Sequence, residues 1–294
     1  MNIIPKDKAI YAMSGANAPA LTVAAGSRVV FETRDALSDQ ITSEDDAFDG
    51  LDWGRINPAT GPLYIEGAAV GDVLSVTIEK IEIADRGVAL CGKGMGTLGH
   101  LFDGSHIKVM PIVDGKVIFS DTISFPVNKM VGVIGTAPAE SEGEISCGVP
   151  CAHGGNLDCK KITEGATLFL PVNVPGALLA IGDLHAAMGD GEIGVSGLEV
   201  AGRVTVTVDV LKGANMPTPM LRNASHIMTL ASHEDLDIAV DMATENMVKY
   251  LMAERDLTLA DATMLISLTG DVRICQVVDP KKTIRVEIAI GEGM

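Results

Sequence analysis

Two long runs of strict alternation fix the class of fold. From Val73 to Ile83, Leu74, Val76 and Ile78 alternate with Ser75, Thr77 and Glu79. Further on, Val204, Val206 and Val208 alternate with Thr205, Thr207 and Asp209. A period of two is that of a strand with one face on a core and the other in water. Shorter strand-like segments run from Val29 to Arg34, Leu63 to Glu66, Ile107 to Ile112, Lys116 to Ser120 and Met130 to Thr136. They are separated by turn signals: Asn57-Pro58-Ala59-Thr60-Gly61-Pro62, Gly71-Asp72 and Asp114-Gly115. The last predicts a tight hairpin. The chain is 47% hydrophobic but 3% aromatic, so Val, Ile, Leu, Ala and Met must build the core.

The pattern changes after Leu211. Leu236, Ala239, Val240, Ala243, Met247, Tyr250 and Leu251 recur at three- and four-residue spacing, which predicts a helix from Asp235 to Arg255. Ser232 or His233 would open it, with Asp235 near its positive end. Thr258 reads as the N-cap of a second helix that ends at Thr269-Gly270-Asp271. Val272 to Val278 and Thr283 to Ile290 read as closing strands. The expected fold is mainly β: a sandwich-rich region over residues 1–210 that carries the functional loops. A smaller α+β portion, 211–294, packs on it.

A formal net charge of −17 excludes a phosphate backbone and an anionic membrane surface as partners. It leaves room for a small neutral substrate or a cation. No run of about 18 apolar residues predicts a membrane span. The segment from Met1 to Ile10 lacks the apolar stretch of a secretory signal, and 5 cysteines form an odd set. A reducing cytoplasm is the expected compartment.

The densest chemistry lies in Gly182-Asp183-Leu184-His185-Ala186-Ala187-Met188-Gly189-Asp190-Gly191-Glu192. Carboxylates and an imidazole are both metal ligands and acid/base groups, and the glycines let them converge. Cys151-Ala152-His153-Gly154-Gly155-Asn156-Leu157-Asp158 repeats the combination. Thr167 to Val174 and Ala177 to Ile181, joined at Pro175-Gly176, read as an antiparallel hairpin that would bring both segments to one rim. Asp35 follows a strand and either faces that rim or caps a turn. Cys147, Cys151 and Cys159 near His153 allow three readings. They are a zinc knot of unusual spacing, a Cys151 nucleophile with His153 as base, or small buried residues.

These segments resemble the acetamidase/formamidase family. The resemblance is carried by Asp35-Ala36-Leu37-Ser38-Asp39-Gln40-Ile41, the stretch from Asn57 to Ala68, His153 to Asp158, Gly182 to Glu192, and Gly270-Asp271-Val272-Arg273-Ile274. It implies hydrolysis of short aliphatic amides to a carboxylic acid and ammonia. It also implies a metal-dependent site with zinc, calcium as a possible second ion, and a homodimer or larger homo-oligomer. Nothing in the family pattern requires the three cysteines. Because a metal activates both carbonyl and water, His153, Asp183 and His185 are the expected ligands, completed by Asp158 or Asp35. Glu192 or Asp190 is the expected general base, and Asn156 a donor to the carbonyl oxygen. The rivals are a cysteine-nucleophile amidase using Cys151 and a non-enzymatic, metal-stapled β-sandwich binding module.

Overall fold

In a computed structural model, which describes residues 2–46 and 48–291, the chain forms two large sheets. One has nine strands in the order Asn2–Ile4, Ser27–Thr33, Gly202–Leu211, Val73–Ile83, Thr167–Pro171, Met220–Arg222, His226–His233, Lys282–Ala289 and Gly270–Gln276. The main path of the other runs Ser124–Pro126, Lys116–Ile118, Ser105–Val113, Arg86–Gly92, Glu199–Val200, Leu179–His185, Met130–Gly135 and Gly154–Asn156. Leu74, Val76, Ile78, Val204, Val206 and Val208 of the first sheet meet Val131, Ile134, Ile181 and Leu184 of the second in one buried cluster. The two alternating runs are therefore partners: Val73–Ile83 and Gly202–Leu211 pair antiparallel and put their apolar faces on that core.

The Asp114-Gly115 turn forms as expected. Both residues have positive φ, 49° and 73°, and Lys116 pairs with Val113. The signal at Asn57–Pro62 is only partly a turn. Strand Ala59–Glu66 runs through Gly61-Pro62, and its ladder to Leu179–His185 slips there, between the Leu63–Leu179 and Thr60–Ile181 pairs. A proline has no N–H to donate, so the strand accommodates it at a bulge.

The expected hairpin across Pro175-Gly176 does not form. Thr167–Pro171 pairs with Val73–Ile83 and Met220–Arg222 in the first sheet. Leu179–His185 pairs with Met130–Gly135, Glu199–Val200 and Ala59–Glu66 in the second. The Pro-Gly segment crosses between layers, helped by positive φ at Gly176, Ala177 and Leu178. Every residue of Leu179–His185 is buried, as expected of a strand covered on both faces rather than one arm of a surface hairpin.

Helix α1, Leu236–Arg255, starts one turn later than Ser232 or His233. Those two end strand His226–His233, and Asp235 itself is the N-cap, accepting from Asp237 N and Ile238 N. Thr258 caps α2, Leu259–Thr269, through a bond from Asp261 N. Ala239, Ala243, Met247 and Leu251 of α1 pack on Ile284, Val286 and Ile288. The C-terminal strands prolong the nine-stranded sheet. No helix among the described residues is long and apolar enough to cross a membrane.

Candidate active site

The site is organised by strand Met130–Gly135, which lies between Gly154–Asn156 and Leu179–His185. Asn156 and Gly182 both stand opposite Val133. The residues just beyond them, Asp158 and Asp183, then converge over Gly132. A Cβ on Gly132 would stand 2.5 Å from Asp158 Oδ1 and collide with Asp183 Oδ2. Leu157 N donates to Gly132 O at 3.1 Å and fixes the turn that carries Asp158. On the other side, Glu199 stands directly opposite His185. The two glycine-rich loops thus meet, but through a shared central strand and not through a hairpin.

His185 Nε2 lies 3.1 Å from Glu199 Oε2, 3.3 Å from Asp183 Oδ1 and 3.8 Å from Asp158 Oδ1. Two overlapping sets of donor atoms lie within 4.8 Å of one another: Asp158, Asp183 and His185, and His185, Glu192 and Glu199. All five residues are buried. Asp158, Asp183 and Glu192 also adopt left-handed backbone, with φ of 41°, 54° and 45°. That region costs a non-glycine residue about 1–3 kcal/mol, and such outliers concentrate at working sites.

Burial pushes the carboxyls of Asp158, Glu192 and Glu199 well above the usual range. Neighbouring negative charge adds to it, Asp183 acting on Asp158 and Asp158 on Glu192. For Asp183, burial is outweighed by the charge of His185, and its pKa falls. For His185, burial is outweighed by Glu199 and Asp183, and its pKa rises well above the usual imidazole value. Four carboxyl groups therefore crowd one imidazole, and its single positive charge cannot hold them all ionised. Asp158 Oδ1, Asp183 Oδ1, Glu192 Oε2 and Glu199 Oε2 have no hydrogen-bond partner. Buried charge of one sign without partners calls for a proton or a cation. Imidazole and carboxylate oxygens are donors that suit a divalent metal.

The other expected residues stand outside the two donor sets. Asp35 Oδ1 accepts from Leu37 N at 3.0 Å and Asp39 N at 2.8 Å, so it caps its turn and belongs to neither donor set. Burial raises its carboxyl to about 6. His153 is buried with both ring nitrogens unpartnered, but it too is in neither set. Burial and the charge of Lys281 lower its pKa to about 4. Asn156 lines the same cavity as Asp158, with its Oδ1 free.

Asp190 is drawn away from the donor sets. Its carboxylate takes a bidentate pair from Arg285, at 2.7 and 2.9 Å, and Lys160 at 3.1 Å. Arg285 is fully buried and also bonds Glu287. Burial would raise the Asp190 pKa, but these cations hold it below its ordinary 3.8. Asp190→Asn is expected to cost about 1–3 kcal/mol in urea unfolding. The wild-type advantage is present above the ordinary carboxylate pKa and vanishes as pH falls through the lowered one. Equal stability of the two proteins at pH 7 would show that the pair does not support the fold.

The cysteines assemble neither a zinc knot nor a nucleophile–base pair. Cys151 Sγ receives Lys281 Nζ at 2.9 Å, and no hydrogen bond joins it to His153. Cys147 Sγ contacts Ile10 O, and burial pushes its thiol up to about 12. Cys159 lies against Cys275 and Arg285. No cysteine is in either donor set among the described residues.

Two site residues escaped the sequence reading. Glu199 is the one acid in the buried stretch Leu198-Glu199-Val200, a charge where a strand should be apolar. Asp279 comes from the C-terminal portion, and its Oδ2 is buried without a partner. Bonds from Gly191 N to Cys275 O and from Val277 N to Gly191 O tie the Glu192 loop to that segment. Asp158, Asp183, Glu192, Glu199 and Asp279 all open on one cavity of about 340 Å³.

The chain matches the acetamidase/formamidase family over residues 16–146 and 142–290. It belongs to that family. Within the family's solved structures, an acetamidase from Bacillus halodurans superposes with a TM-score of 0.95 at 45% identity, covering 98% of this chain and 97% of that one. An acetamidase from Yersinia enterocolitica superposes with a TM-score of 0.91 at 31% identity, over 98% and 91% of the two chains. A formamidase-like protein of Schizosaccharomyces pombe is 29% identical over 249 residues, 64% of this chain. The chain spans 60% of that relative's length.

Proposed function

We propose that this member of the family is a metal-dependent amidohydrolase, cleaving primary amides of short acids to the carboxylic acid and ammonia. One observation carries the reading. Four carboxyl groups, each with an unpartnered oxygen, line a cavity and gather around one buried imidazole in a chain of this family. Asp158, Asp183 and His185 would hold the cation, with Glu199 completing the set. Zinc is the choice favoured by the imidazole, and the remaining carboxylate oxygens suit calcium as a second ion. A divalent metal bound there polarises the amide carbonyl and makes water acidic enough to deprotonate near neutrality.

The chain's own groups do the rest. Glu192 faces the cavity with a carboxyl that burial pushes well above its ordinary range, which makes it a better proton acceptor than an exposed carboxylate. It takes a proton from the attacking water and delivers it to the amide nitrogen as ammonia leaves. The Asn156 amide N–H donates to the carbonyl oxygen as negative charge develops on it. His185 turns its Nε2 towards Asp158, Asp183 and Glu199, which places its one nitrogen ligand among the carboxylate ligands.

Ammonia release from acetamide, before and after chelation, with metal analysis of the same sample, tests this. The expected result is zinc near one equivalent per chain and activity that falls with chelation and returns with metal. Bound metal without ammonia from any primary amide would instead fit a metal-stapled binding module. Activity indifferent to chelation but abolished by iodoacetamide would return the reaction to Cys151.

A further inference from the structure

The cavity is far larger than a one- or two-carbon amide needs. Its volume of about 340 Å³ is roughly ten times the share of one water in the liquid. It is also two-sided. Asp158, Asp183, Glu192 and Glu199 supply its polar part, while Leu37, Ile56, Leu90 and Val195 belong to one continuous apolar cluster that also lines it. Met95 adds a flexible apolar side chain to the same lining. An anionic acyl substituent would be repelled by the carboxylates. A polar one laid against Leu37, Ile56, Leu90 and Val195 would lose its hydration to side chains that offer no hydrogen bond, although Asn57, Ser146 and Ser196 also line the cavity.

We infer that the apolar wall is an acyl pocket, and that the favoured substrates are primary amides of unbranched apolar acids of about six carbons, an occupant of roughly eight heavy atoms. This rests on the amidohydrolase reading and names its substrate class. The amide group sits at the carboxylate end, and the chain runs along Leu37, Ile56, Leu90 and Val195. Each methylene moved from water onto that wall strengthens transition-state binding, because the wall is already formed when the substrate arrives.

The test is a ladder of kcat/KM for acetamide, propionamide, butyramide and hexanamide, read as ammonia released by the metal-loaded enzyme. The expected rise is about fourfold per methylene up to hexanamide. Met95→Trp, which fills the lining, is expected to lower the hexanamide-to-acetamide ratio at least about tenfold. A flat or falling ladder, with acetamide still hydrolysed, overturns the acyl pocket and leaves the amidohydrolase standing. An unchanged ratio in a folded Met95→Trp protein also overturns it. No ammonia from any amide of the series removes the amidohydrolase reading itself, and the pocket with it. If Met95→Trp does not fold, the wild-type ladder decides alone.

Discussion

His185→Ala is expected to empty the metal site and lower amide turnover by about a thousandfold or more, since a bound metal supplies several kcal/mol of charge stabilisation. No other side chain in the two donor sets offers a nitrogen, and His185 is the residue the sets share. Without it, Asp158, Asp183 and Glu199 face one another with no imidazolium between them. The cation then loses its one nitrogen ligand, which three carboxylates alone do not replace for zinc. The contrast is His153→Ala. His153 is as deeply buried but stands in neither donor set, so the change opens a small cavity and leaves metal stoichiometry as in the wild type. Metal analysis of the purified variants, alongside ammonia release, separates the two. Full metal content in His185→Ala would remove this residue from the site.

What the sequence discloses here depends on how far apart the cooperating residues lie. Asp183, His185 and Glu192 share one glycine-rich stretch, and Asp158 lies in a second, so composition alone marks them. Their convergence was expected for the wrong reason. The deciding strand is Met130–Gly135, whose six residues are buried throughout and show nothing by alternation about which strands flank them. Glu199 is a single acid in a two-residue strand, and Asp279 lies some eighty residues further on. Only their burial distinguishes them from the other acids of a chain with net charge −17. Asp190 and His153 show the converse limit of reading by residue type. Both have the right residue type in the right loop, yet Asp190 is claimed by Arg285 and His153 falls outside both donor sets. Residue type marks candidates, but the partner across the sheet decides among them.

That partner geometry makes Gly132→Ala the second large effect. In an ordinary strand, alanine would be tolerated or slightly stabilising, because glycine costs more backbone entropy on folding. The Gly132 backbone is not in the left-handed region, so an alanine meets no conformational obstacle there. The obstacle is space. The added methyl would lie 2.5 Å from Asp158 Oδ1 and closer still to Asp183 Oδ2, the two oxygen-bearing groups that the missing side chain lets converge. One carboxylate must swing out, and both belong to the donor set with His185. Expected are a fall in metal affinity and in kcat/KM of at least about tenfold to a hundredfold, the range seen when a metal's supporting shell is disturbed. Stability should fall by about 1–3 kcal/mol, as for other overpacked sites. Zinc titration against a chromophoric chelator and urea unfolding read the two quantities separately. A Gly132→Ala protein that unfolds like wild type, yet binds zinc weakly, would place the cost in the site. One with wild-type affinity and turnover would show that Asp158 and Asp183 need not converge over Gly132 for the chemistry to proceed.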